Sequence, residues 1–110
     1  MPIYNKLVRD RIPEVIENTG KTFSTRILSN SEYITELNKK AFEELEEFVS
    51  TETVEDAVEE LADLLEIIHA FAEYHGVSIE QVEEVRKTKA EKRGGFKEKI
   101  FLIEVEDEQD

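Results

Sequence analysis

Residues 61–72 read LADLLEIIHAFA, and only Asp63, Glu66 and His69 interrupt an otherwise apolar run. A helix that is apolar nearly all round belongs at the centre of an assembly. The flanking residues give this helix its limits. Thr53 with Asp56 caps its start, and it continues to about His75 and stops at Gly76. Upstream, Ser29 with Glu32 forms a capping box. It opens a helix over about residues 31–49, whose core face carries Ile34, Leu37, Ala41, Leu45 and Phe48 at helical spacing. The connection over residues 50–53 is short, which favours antiparallel neighbours.

Two shorter helices complete the pattern. Asp10 caps the first, with Pro13 tolerated in its first turn, Ile12, Val15 and Ile16 on its apolar side and Gly20 at its end. Ser78 with Gln81 caps the last, which ends near Gly94-Gly95. The expected fold is all-α, an antiparallel bundle of about four helices. Residues 22–28 (TFSTRIL) and residues 97–105, within FKEKIFLIEV, are rich in β-formers and are expected to pair as a short two-stranded element. Residues 1–110 read as a single domain, with 106–110 an acidic, solvated tail.

Composition narrows the functional classes. Lys plus Arg is 14 against 27 Asp plus Glu, a formal charge of −13. Such a chain is repelled by nucleic-acid polymers and by anionic membranes. It has no cysteine, so thiolate chemistry and disulfides are excluded. No apolar run approaches transmembrane length and no signal peptide opens the chain, so the expected location is the cytoplasm.

The central helix and the one before it share a second pattern. Glu44-Leu45-Glu46-Glu47 is an E-x-x-E, and after twelve intervening residues Glu60-Leu61-Ala62-Asp63 is an E-x-x-D. Residues three apart lie on one side of a helix. Two antiparallel helices can therefore aim four carboxylates at one point, where they repel unless cations hold them. Hard cations such as Mg²⁺ select oxygen ligands, and Mg²⁺ is the usual partner of phosphate chemistry. At about 100° per residue, Glu44 and Glu47 follow the flank of the core stripe, whereas Glu43 faces away and Glu46 lies on the other flank. Glu60 and Asp63 share a flank with Ile67 and Phe71. The candidate ligands are Glu44, Glu47, Glu60 and Asp63; the run of glutamates also admits Glu43 and Glu46 as an alternative register.

A competing constellation is Glu66-Ile67-Ile68-His69, the E-x-x-H spacing of di-iron carboxylate bundles. Those sites need two such motifs. This chain has one, so a packed or hydrogen-bonded His69 is the simpler reading and a second copy has to come from a homodimer.

Basic residues gather at the two ends: Lys6, Arg9 and Arg11 in one segment, and Arg86, Lys87, Lys89, Lys92, Arg93, Lys97 and Lys99 in the other. The bland reading is surface charge balance. On so acidic a chain, the alternative is that both segments fold over the acidic site.

The opening YNKLVRDRIPEVIENTG, the E-x-x-E and E-x-x-D pair and KRGGF at residues 92–96 together resemble the MazG-like nucleotide pyrophosphohydrolases. The match is nearer to the proteins described as phosphoribosyl-ATP pyrophosphohydrolase-like, and it covers about residues 4–102. The resemblance implies an all-α NTP pyrophosphohydrolase fold that works as a homodimer or homotetramer. It implies Mg²⁺-dependent cleavage of a nucleotide between its α and β phosphorus atoms, giving a monophosphate and pyrophosphate. House-cleaning of modified nucleotides, control of nucleotide pools and a biosynthetic step all suit such a site. On this chain the metal ligands implied are Glu44, Glu47, Glu60 and Asp63. Glu47 is the candidate base for water, and Lys6, Arg9, Arg93 and Lys97 are the candidates to grip phosphate. A bundle that binds nucleotide without cleaving it remains the alternative within the same fold.

Overall fold

The computed structural model describes residues 2–107, so residues 108–110 of the expected tail lie outside the described residues. Four helices follow one another: α1 (Ile12–Asn18), α2 (Asn30–Val49), α3 (Val54–Tyr74) and α4 (Ile79–Arg93). The fold is all-α, and no helix is long and apolar enough to cross a membrane among the described residues.

Local chemistry fixes most of the boundaries. Ser29 accepts from the Glu32 amide while the Glu32 carboxylate accepts from the Ser29 amide, so two orphan donors of the first turn of α2 are satisfied reciprocally. Thr53 accepts from the Asp56 amide at the start of α3, and Ser78 and Gln81 form a second capping box at α4. Between α3 and α4 the chain reverses through Gly76 at φ +72°, a left-handed conformation that glycine adopts without steric cost. The start of α1 differs from expectation. Its N-cap is Arg11, which makes no side-chain cap bond, and the Ile12 amide is taken by the Arg9 carbonyl at 3.0 Å. That turn leaves Asp10 outside the cap position.

The packed pair is α2 against α3. The four-residue link between them forces an antiparallel arrangement, and Tyr33 near the start of α2 meets Tyr74 at the end of α3 with ring centroids 6.1 Å apart. The core between them is thin. Leu37, Ile67 and Ala72 are its buried apolar residues, with Ile34, Ala41, Phe48, Leu64 and Phe71 half-buried around them. Leu45, expected on the core face, is 48% exposed instead. The buried stripe runs through positions 37, 41, 44 and 48, and Leu45 stands about 60° to one side of its centre. A glutamate, Glu44, takes the inner place.

A second correction concerns strands. Residues 22–28 and 97–105 form no strand among the described residues: residues 22–28 and 100–105 carry no regular secondary structure, and residues 97 and 98 lie in a turn that ends at Lys99 with φ +56°. The segments leave the body at different points. Residue 28 enters α2 beside the α3–α4 turn, whereas α4, 15 residues long, carries the chain about 22 Å from that turn before residue 97 begins.

The outer faces of the pair are apolar as well. Phe42, Leu45 and Val49 on α2, and Val54, Val58, Leu61, Leu65 and Ile68 on α3, are all exposed. The chain exposes 10472 Å² in all for a mass of 12.8 kDa, where a compact monomer of that mass exposes about 6,300 Å². Its radius of gyration is 19.3 Å, against about 13 Å for a compact chain of this length.

With so few buried residues, each carries much of the stability. Leu37, 4% exposed, is expected to cost about 2–5 kcal/mol on substitution by Ala, read as a fall in the urea midpoint at unchanged slope. A loss under about 0.5 kcal/mol contradicts the α2–α3 core described here.

Candidate metal centre

The middle of α2 and the first half of α3 face each other across the seam, and this juxtaposition makes the site. Glu44 and Glu47 lie one turn apart on α2, and Glu60 lies opposite on α3. Each offers a carboxylate oxygen such that all three atoms lie within 4.8 Å of one another. Residues 43–66 hold eleven acids and no base, so no cation of this stretch relieves the crowding.

Burial sharpens the conflict. Glu44 is 8% exposed, and its Oε2, like that of Glu60, is buried without a hydrogen-bond partner. A buried carboxylate oxygen left unpaired is costly. The Glu44 pKa is pushed up to about 7 from 4.5, first by burial. The neighbouring Glu60 carboxylate then holds the proton on it, and the negative charges of Glu47, Asp63 and Glu60 add to the rise. Two carboxylates that share one site cannot both ionise freely. Lys40 offers weak relief, its Nζ standing 3.9 Å from Glu44 Oε1.

Asp63 sits beside this triad and is engaged elsewhere. Arg9 donates from Nη2 to Asp63 Oδ1 at 2.7 Å, tying the N-terminal segment to α3. Arg9, expected to grip phosphate, instead neutralises a candidate ligand. Such a long-range pairing leaves no signature in residue spacing, so it was not visible in the sequence. The alternative register is not assembled: Glu43 and Glu46 are exposed and outside the cluster. Lys6, Arg93 and Lys97 are exposed and make no ion pair with the cluster among the described residues. Glu66 and His69 are also exposed, and no metal-sized group among the described residues includes them.

Glu47 and Glu60 also line an open cleft of about 380 Å³ with Ser50, Thr51, Glu52, Asp56 and Glu59. Five carboxylates and no base line this cleft. An anion can enter only with its charge already offset by cations.

No family model matches the chain, and no solved structure does. The chain is similar to an uncharacterized protein of Mycolicibacterium smegmatis (strain ATCC 700084 / mc(2)155), 44% identical over 54 residues, which are 49% of this chain and 55% of that relative. The chain thus spans about half the length of the curated relative it matches.

The raised Glu44 pKa fixes the sign of a pH effect. The folded state binds this proton more tightly than the unfolded chain, whose value is near 4.5. Its contribution to stability is therefore fully present below about pH 4.5 and is lost as pH rises through about 7. Without divalent cations, Glu44→Gln is expected to remove this slope and to raise stability by about 1–3 kcal/mol above neutrality. Urea unfolding across pH checks it; an unchanged slope in the variant contradicts the assignment to Glu44.

Proposed function

We propose that this chain is a Mg²⁺-dependent nucleotide pyrophosphohydrolase of the MazG-like kind, acting in the cytoplasm as a homodimer or homotetramer. The observation that carries the reading is the convergence of Glu44, Glu47 and Glu60 with two buried carboxylate oxygens that have no partner. An anionic, oxygen-only donor set at the seam of two helices fits a hard divalent cation. Glu44, Glu47 and Glu60 would hold the ion, which when bound would offset the charge of phosphate oxygens and lower the pKa of water.

The residues divide the remaining work. Glu44, buried, and Glu60, half-buried, each with a buried Oε2 lacking a partner, would be the fixed ligands. Glu47 is exposed and opens on the cleft, so it is placed to take a proton from water. Asp63 completes the acidic set, and Arg9 holds it in position until substrate competes for that guanidinium. Lys6, Arg93 and Lys97 are proposed to meet the phosphates. The resemblance supplies the choice of bond, between the α and β phosphorus atoms. A nucleotide-binding bundle without turnover, or a di-iron bundle using Glu66 and His69, would use the same helices differently.

Purified protein with Mg²⁺ and a panel of nucleoside triphosphates is expected to release pyrophosphate and monophosphate. Orthophosphate as product contradicts the bond assignment, and inactivity across the panel favours a binding bundle. Tightly held iron that is lost in His69→Ala favours the di-iron reading. Asp63→Asn is expected to lower turnover by about 100-fold or more, since residues merely supporting a metal ligand already cost 10–100-fold. Glu43→Gln is expected to retain activity where Glu44→Gln does not, and equal loss in both contradicts the register.

The uncovered faces of α2 and α3 support the proposed oligomer. A second copy laid on Leu45, Val49, Leu61, Leu65 and Ile68 would cover apolar side chains that a single chain leaves exposed. Light scattering at micromolar concentration is expected to give at least twice the single-chain mass, and Leu65→Glu to reduce it. A particle near 12.8 kDa contradicts the second copy.

A further inference from the structure

We propose that residues 100–105 of one copy pair as a β-strand with residues 22–28 of a second copy, so that two chains exchange C-terminal arms. The inference rests on the second copy proposed above and makes no use of nucleotide cleavage.

The arm is a segment without a partner. Phe101 and Ile103 are each 87% exposed, and Ile100, Leu102 and Val105 are exposed beside them. Among the described residues, no backbone amide from residue 100 to 105 donates to another backbone group. The last such bond, Lys99 N–H to the Phe96 carbonyl at 3.3 Å, closes the turn that launches the arm. Residues 22–28 match this description. They carry no regular secondary structure, their amides make no backbone bond among the described residues, and Ile27 is 94% exposed. Two β-prone segments with open donors and acceptors can each accept a strand.

One chain does not bring them together. No backbone hydrogen bond joins residues 22–28 to residues 100–105 among the described residues. In a pair of copies the symmetry axis, and not the chain, decides which ends meet. The excess surface leaves room for such an exchange, since 10472 Å² per chain is about 4,000 Å² beyond a compact monomer. Obligate interfaces bury about 2,000–5,000 Å².

Charge selects the same partner. Two chains of −13 repel over most of their surfaces. Residues 97–105 are neutral, Lys97 and Lys99 offsetting Glu98 and Glu104, and Arg26 is already paired with Glu32 at 2.8 Å. These stretches can meet without pressing acid against acid. Because the chain carries both halves of the pair, a second copy is a sufficient partner.

Amide hydrogen exchange on the full chain, free of nucleotide, tests this alongside a chain ending at Gly95. Residues 22–28 and 100–105 are expected to exchange together, about tenfold or more slower than an unpaired segment. Truncation is expected to return residues 22–28 to fast exchange while the helices stay folded by circular dichroism. The chain has no cysteine, so mixing Thr25→Cys with Ile103→Cys under mild oxidation is expected to link the two different variants into one dimer. Protection of residues 22–28 that survives truncation overturns the proposal, as does fast exchange of both segments in an oligomer. Protection of both segments in a particle of single-chain mass also overturns it. Because no nucleotide is present, failure here leaves the metal centre standing, and an inactive metal centre leaves the arm exchange standing.

Discussion

Three carboxylates within 4.8 Å of one another across a helix seam set the terms for this molecule. Helix packing brings them there, and their charge works against that packing. Relief comes from a proton on Glu44, from Arg9 reaching Asp63, and from Lys40 at the edge. Neither cation reaches the two buried Oε2 atoms. Such a cluster in a thin core carries an electrostatic cost at one place, and carboxylates perturbed in this way accompany ligand sites. The acids thus link a structural cost to a proposed function.

The same seam accounts for the apolar faces that the chain leaves exposed. Glu44 occupies an inner position that an apolar side chain would otherwise fill, and Leu45 is displaced to the outer flank. The apolar stripes left on α2 and α3 then face outward, and α4 buries no side chain fully. A body with this little core is marginal by itself. A second copy supplies the missing apolar contact in the proposed assembly.

Much of the fold was legible in the sequence because helix ends are written locally. Ser29 with Glu32, Thr53, Ser78 with Gln81 and the glycines at 76 and 94 each act within a turn of their own position. The convergence of Glu44, Glu47 and Glu60 was legible for a related reason, since helical spacing and a short link leave few ways to arrange two helices. What failed is long-range. The strand pairing of residues 22–28 with 97–105 depended on where two segments leave the body, which composition does not encode. The same holds for the Arg9–Asp63 pair, which joins residues 54 apart. The place of Leu45 turned on about 60° of helix rotation, finer than an apolar pattern resolves.

The central claim is that the glutamate cluster is a divalent-cation site, and Mn²⁺ as a paramagnetic stand-in for Mg²⁺ tests it most directly. Titration of the protein with Mn²⁺ near pH 6.5, where Glu44 with its pKa of about 7 is largely protonated, is followed by electron paramagnetic resonance and calorimetry. The account predicts saturable binding that Mg²⁺ displaces, with release of protons as the cation replaces the one on Glu44. It predicts weaker binding and less proton release in Glu44→Gln. Absence of binding at millimolar Mn²⁺, or binding and proton release unchanged in Glu44→Gln, would contradict it.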